Sequence, residues 1–525
     1  MIKDKTNVTL VMAGLLLGML ISTLDQTIMA TAMPTVAREL GGLSLYSWVF
    51  SIYMLTSTTS MPIFGKLADL YGRKRLYIIG MGLFMLGSVL CSFSTGMLEL
   101  VIFRGLQGLG AGALMPLSIT IIGDLVPLEK RGRIQGIFAG LTTLANVIGP
   151  ALGGLFVQYL SWQWVFYINL PIGLAAIGII LTSMKESKMA GKRSIDWFGA
   201  LTLSGSVVTI LLALVLGGGD QPQSWGSAQV TGLFTAGAAL LGVFLWVESK
   251  AKEPIIPLQL FRNRLLSATF IVAFFMSAGM FGAVSYIPLY VQGVVGVSPA
   301  AAGYILTPMM VALGAAVVIT GRLLHRTTYR AFNLLGMTLM GLGFGLLATM
   351  STDTGMPLVI VYMVLTGLGI GFIIPTLNTA AIGAVGKERR GVATSLVQFS
   401  RSIGGTIGVS VLGVLMTGRM AAGMPGLGER FAALGADKLR AYADPQALLD
   451  GSMRVSLPAD LLRDLQNVFT QGIHTVFIAG IVIAVVGLAA SLFMGTDRMM
   501  SKPVSPGTSA GGASSVDSTT AGSGN

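Results

Sequence analysis

The sequence predicts an all-α polytopic membrane protein: two related six-helix halves with two further helices inserted between them, fourteen membrane helices in all. Three observations carry this. Long apolar runs recur along the 525 residues, of which only 11% are charged, where a soluble domain averages about 25%. The runs are continuous, unlike the roughly ten-residue alternating strands of a β-barrel. Residues of one type also return at an offset of 259 positions: Gly108 with Gly367, Gly112 with Gly371, Pro116 with Pro375, Glu129 with Glu388, Arg131-Gly132 with Arg390-Gly391, and Gly149 with Gly408. Chance helix composition accounts for two such matches, not for a whole register that includes a loop.

The candidate spans lie near 9–33, 47–65, 76–95, 98–122, 134–157, 164–184, 197–217, 229–248, 266–291, 301–321, 331–350, 357–382, 393–417 and 473–495, each roughly the 20 residues a bilayer requires. The first 190 residues form one half, 191–255 the inserted pair, and 256–500 the second half. One set of loops is basic, including "GKLADLYGRKR", "DLVPLEKRGR" and "KERR". The opposite short loops hold almost no Lys or Arg, Arg38 excepted. The positive-inside rule puts the basic loops and both termini in the cytoplasm. The net charge of +12 is therefore read as orienting the chain, not as binding nucleic acid. Residues 418–472 are an extracytoplasmic loop in which "ADKLRAYADPQALLDG" and "LPADLLRDLQNVF" have leucines at helical spacing. Residues 501–525, rich in Ser, Gly and Thr, are expected to be a disordered cytoplasmic tail.

The first span, within "TLVMAGLLLGMLISTLDQTIMATAMPTV", contains Asp25. A signal peptide with Lys3 and Lys5 ahead of it is one reading, but signal cores are shorter and carry no acid. A structural bond to a neighbouring helix is another. An ionisable residue at membrane depth is by default a functional candidate. Asp25 is the one carboxylate read as deep in any span; Glu99 and Asp124 lie at helix ends. Arg104, in "RGLQGLGAG" of the fourth span, is read as a hub bonded to carbonyls of the first span, as the electrostatic partner of Asp25, or as both. Burial favours the neutral form of a carboxyl and a nearby cation the charged one, so the two together suit a proton-exchanging site. The single cysteine, Cys91, allows no intrachain disulfide. Two distant histidines, His325 and His474, allow neither a His-based metal site nor a Ser-His-Asp triad, and no polar catalytic cluster marks an enzyme.

The motifs carry a resemblance. "GKLADLYGRKR" after the second span is similar to the loop signature of major facilitator transporters, with Gly65 and Gly72 allowing a close turn and Asp69 able to cap or pair with Arg73. By that resemblance Asp124 completes a cytoplasmic gate relay. The second-half copy, "GRLLHRTTYR", has His325 where Asp69 stands and is degraded. "GPALGG" in the fifth span (Gly149, Pro150, Gly153, Gly154) is a packing seam by its small residues, and by resemblance the motif of antiporters and exporters. "SWQWVFYINLPIG" and "LDQTIMATAMP" resemble the signatures of 14-helix drug/proton antiporters of the EmrB/QacA type, Gln163 departing from the usual Arg.

The resemblance covers nearly the whole chain apart from the tail. It implies the major facilitator fold and proton-coupled efflux of amphipathic or hydrophobic toxic compounds through a bacterial cytoplasmic membrane. It also implies no cofactor beyond the proton gradient and no metal. The expected partners are drug-like molecules, protons and membrane lipids. The chain is expected to be monomeric, with a periplasmic adaptor if the cell has two membranes. Export of one specific metabolite or antibiotic, and nutrient symport, are the alternatives. Gln107, Asn146, Tyr286, Asn378, Gln398 and Arg401 are candidate pocket residues. Arg401 is open between a structural pairing and a preference for neutral, zwitterionic or anionic substrates.

Overall fold

A computed structural model describes residues 7–41, 45–126, 128–185, 196–218, 226–251, 254–296, 299–351, 354–430 and 459–495. The first half holds α1 (Val8–Leu40), α2 (Tyr46–Tyr71), α3 (Arg73–Ser92), α4 (Met97–Leu125), α5 (Leu128–Tyr159), the short α6 (Trp164–Tyr167) and α7 (Asn169–Ser183). The inserted pair is α8 (Trp197–Gly218) and α9 (Ala228–Lys250). The second half holds α10 (Arg264–Tyr290), α11 (Pro299–Leu323), α12 (Tyr329–Leu347), α13 (Met356–Gly383), α14 (Arg390–Arg430) and α15 (Ala459–Leu492).

Short polar residues start several of these helices by satisfying free backbone N–H groups. The Asn7 side chain accepts from Leu10 N, Ser227 from Val230 N, Asn263 from Leu265 N and Leu266 N, and Thr328 from Ala331 N. Gly72, with φ of 102°, separates α2 from α3 by a turn that a side chain would strain. Twelve helices among the described residues are long and apolar enough to cross a membrane. Outside that group, α2 carries the hydroxyl run Thr56–Ser60 with Lys66 and Asp69, and α5 opens on Glu129, Lys130, Arg131 and Arg133.

The repeat is structural. Within the first half α1 packs on α4, α5 and α7, α2 on α4, and α3 on α4 and α7; α10 packs on α13, α14 and α15, α11 on α13, and α12 on α13 and α15 in the same arrangement. Matched glycines make matched contacts. A Cβ on Gly108 would stand 2.6 Å from Tyr53 O and one on Gly112 2.3 Å from Ser57 O, both on α2; on Gly367 and Gly371 it would stand 2.2 Å from Met309 O and 2.3 Å from Leu313 O, both on α11. Lipid supplies no hydrophobic drive between helices, so close backbone approach through small residues has to hold them. The halves meet along two related seams, α2 against α14 and α5 against α11, and the inserted α8–α9 pair packs through α8 on both α2 and α14.

Three boundaries differ from the sequence reading. Helix α14 continues to Arg430 and α15 begins at Ala459, so the expected loop 418–472 is mostly helix at its two ends. "LPADLLRDLQNVF" opens α15 instead of forming a separate short helix, because its leucines continue the apolar face onto which Leu461 and Leu465 are buried. The "ADKLRAYADPQALLDG" helix and the 501–525 tail lie outside the described residues. Glu248 is a further buried acid, which the span count put at a helix end. It is 3% exposed, and its carboxylate accepts from Ile255 N and Ile256 N at 3.2 and 2.7 Å, holding the strap that leads from α9 to α10.

Candidate functional site

Asp25 lies in the fifth turn of α1, and no part of it reaches solvent. Three side chains from two other helices point at its carboxylate. Arg104 NH1 donates to Oδ2 at 2.5 Å, Gln107 Nε2 to Oδ1 at 2.7 Å, and Asn169 Nδ2 to Oδ1 at 3.1 Å. Arg104 and Gln107 are three apart on α4 and so share a face. Arg104 NH1 also donates to Gln107 Oε1 at 2.8 Å, and the guanidinium lies 4.3 Å above the Tyr53 ring on α2. Asn169 opens α7 and reaches Ser88 Oγ on α3 at 2.9 Å; Ser88 donates to Phe166 O at 3.0 Å. The network joins α1, α3, α4 and α7 around one anion.

The hydrogen bonds described for Arg104 run to the side chains of Asp25 and Gln107. Removing one member of a fully buried ion pair leaves an uncompensated charge and costs on the order of 3–5 kcal/mol. Gln107, expected in the pocket, belongs to this network. Asn169 and Ser88 were not singled out. Asn169 carried a signal, as the lone amide in the apolar "FYINLPIG"; Ser88 carried none.

The "GPALGG" glycines seat α5 against the helix that carries Asp25. A Cβ on Gly149 or Gly153 would stand 2.0 Å from the hydroxyl of Thr27 or Thr31 on α1. Gly154 faces open space. The Pro150 side chain is outside the described set.

The second constellation closes the basic end of the seam. Asp69, 2% exposed, accepts from Gly391 N at 3.0 Å and Val392 N at 2.9 Å. A carboxylate of the first half thus caps the N-terminus of α14 in the second, where free N–H groups and the helix dipole favour an anion. Burial pushes the Asp69 carboxyl up to about 6, against the pull of Arg73 and the two backbone donors. Arg73 NH2 approaches Asp69 Oδ1 at 3.4 Å and donates to Lys387 O at 2.7 Å. Asp124 pairs with Arg73 and, at 3.0 Å, with Arg390. Arg390 is the repeat counterpart of Arg131 and completes a four-residue relay across the halves. Backbones touch here too: a Cβ on Gly65 would stand 2.7 Å from Gly391 O. Further in, Thr120 meets Thr394 and Thr58 meets Ser402, each hydroxyl pair at 2.5 Å.

Of the other pocket candidates, Gln398 and Arg401 meet each other. Tyr286 donates to Val409 O at 2.9 Å and so fastens α10 to α14. Asn378 is buried on α13. Arg401 NH1 donates to Gln398 Oε1 at 3.0 Å. The side chain of Asn146 is outside the described set.

The model of the family described as "Major Facilitator Superfamily" matches residues 15–409. The chain is 40% identical over 517 residues to the multidrug transporter protein MdtP of Bacillus subtilis (strain 168), covering 94% of each chain. It is 38% identical to multidrug resistance protein 3 of the same organism, over 93% of this chain and 95% of that one. Among solved structures, a double Trp mutant of XylE superposes with a TM-score of 0.60 at 13% identity, over 94% of this chain and 97% of that one.

Proposed function

Because the chain belongs to the Major Facilitator Superfamily, we propose that this multi-pass membrane protein is a multidrug efflux transporter that exchanges protons for drug-like molecules. The observation that carries the coupling is the fully buried Asp25–Arg104 pair. The relatives named as multidrug proteins support the substrate class. In this reading α2 and α5 cross the membrane with the other twelve helices, which gives fourteen. The basic loops and both termini face the cytoplasm of a bacterial cell, and the transporter works as a monomer. The divisions at residues 190, 255 and 500 separate half, inserted pair and half.

The mechanism follows from charge. A proton arriving on Asp25 neutralises the anion that holds Arg104, Gln107 and Asn169 together. Arg104 is then a buried cation with a neutral neighbour, and the packing of α1 on α4 and α7 loses its electrostatic tie. Two residues beyond Asp25, Thr27 is wedged against Gly149 of α5, and α5 is the helix that meets α11 across the seam. A shift of α1 therefore reaches the junction between the halves through direct packing. The Asp69–Arg73–Asp124–Arg390 relay holds the cytoplasmic side closed until the halves rock.

The test is transport by Asp25→Asn in proteoliposomes with an imposed proton gradient. The amide keeps the shape and cannot titrate, so accumulation against a substrate gradient should vanish. Equal amounts of protein in the membrane exclude a folding defect. Undiminished uphill transport by this variant would remove Asp25 from the coupling.

A further inference from the structure

Arg401 is a cation within the apolar span Lys387–Gly423 that the proton site and the gate do not use. Its position is set by α14. Thr394, Gln398, Arg401 and Gly405 fall at i, i+4, i+7 and i+11, on one stripe of the helix. At the inner end of the stripe the Thr394 hydroxyl meets Thr120 of α4, across the junction between the halves. At the outer end a Cβ on Gly405 would stand 2.6 Å from the Phe281 ring of α10. The next residue, Ser402, bonds to Thr58 of α2. Arg401 thus stands where α14 turns from one half of the molecule to the other.

Among the described residues its charge meets no carboxylate. The one hydrogen bond described for the guanidinium goes to the neutral Gln398 Oε1, and Nε is buried without a partner among the described residues. Helices α10 to α13 contain no Asp or Glu, nor does α14 before Glu429. Arg104, an arginine within the span Met97–Leu125, has a carboxylate, an amide and an aromatic face. A guanidinium presents five N–H donors and stays charged. Leaving it unpaired at membrane depth is costly, and a molecule that brings an anion recovers that cost.

We propose that Arg401, with Gln398 beside it, is an anion-recognition point of the transport pathway that takes the carboxylate of an amphipathic substrate. This rests on the efflux reading and names a substrate class for it. A planar carboxylate matches the fork of the guanidinium and accepts two parallel hydrogen bonds. The apolar part of the ligand then lies along the neighbouring helices. A substrate held in this way does not compete with the proton for Asp25, because the two sites have opposite charge and lie in different halves.

The experiment compares rhodamine B, which has a free benzoate, with its ethyl ester, by fluorescence anisotropy on the purified full-length protein. The wild type should prefer the acid. The acid-to-ester affinity ratio should fall tenfold or more in Arg401→Gln, the weight of a lost charge-assisted hydrogen bond, and Arg401→Lys should recover part of it. An unchanged ratio in Arg401→Gln, including equal weakening of both dyes, overturns the proposal and makes Arg401 structural. Binding of neither dye, or of the ester alone, by the wild type also overturns it. Inverted vesicles separate the two readings: if rhodamine B binds through Arg401 and is not moved by a proton gradient, the efflux reading fails and anion recognition stands.

Discussion

Asn169 donates one amide group to two acceptors, Asp25 on α1 and Ser88 on α3. It therefore sets where the carboxylate lies as well as stabilising its charge. Asn169→Ala should leave Arg104 in place and shift the pH profile of transport, with a rate loss corresponding to about 1–3 kcal/mol for a hydrogen bond to a charged group. An unaltered pH profile would assign Asn169 to packing alone. Asp69 responds to pH in a defined direction. Its carboxyl is raised to about 6 in the closed gate and returns toward the ordinary value near ~3.9 when opening exposes it. The closed state then binds protons more strongly between these values, so acidification through pH 6 favours closure and alkalinisation removes that contribution. Labels on the two halves across the gate should report a larger closed fraction at pH 5 than at pH 7. Asp69→Asn should flatten that dependence, and an identical pH response in the variant would contradict the assignment.

Helix pairs here are held by backbone proximity. A Cβ on Gly112 would stand 2.3 Å from Ser57 O, a backbone atom that cannot swing aside, whereas one on Gly82 of α3 would meet nothing within 4 Å. Gly112→Ala should thus destabilise the α2–α4 contact by about 1–3 kcal/mol through overpacking. Gly82→Ala should be neutral or stabilising by up to about 1 kcal/mol from helix propensity. Thermal unfolding of the two variants in detergent reads this contrast directly, and equal melting temperatures would show that α4 can move away from α2 without cost. The same contrast explains the limit of "GPALGG" as a motif. Gly149 and Gly153 are pressed on α1 and Gly154 is not, so two of its three glycines carry the seam.

Across the whole molecule, the two halves are joined at the basic end by Asp69 on Gly391 and Val392, by Asp124 on Arg390, and by Thr120 on Thr394. In the proposed rocking of the halves these contacts part. Cysteines at Thr120 and Thr394 would bring two thiols to the place of hydroxyls 2.5 Å apart, and the native Cys91 is buried and does not compete. Oxidation of that double variant should stop efflux by locking the seam, and a reductant should restore it. Full cross-linking with undiminished efflux would exclude separation of the halves at this point.

Helix placement, the repeat and the gate motif were legible in the sequence because each depends on neighbours along the chain. Apolar length sets a span, a glycine in a matched register sets a close contact, and Gly72 sets a turn. Asp25 was legible for the same reason, since a carboxylate in an apolar run stands out without any fold. Its partners were legible only in part. Arg104 and Gln107 were noticed for their polarity but assigned to different sites, and Asn169 and Ser88 come from helices more than sixty residues away, so nothing in local periodicity ties them to α1. That Asp69 can cap or pair was legible, but not that the cap falls on α14. Its acceptors are bonded to backbone N–H groups, which every residue has and which no motif records. Composition and pattern by themselves determined that this chain is a membrane-embedded helical repeat with one deep acid. Tertiary structure alone decided which charges meet, because a buried ion needs its partner within about 3–4 Å, and only the packing of helices distant in sequence brings one that close.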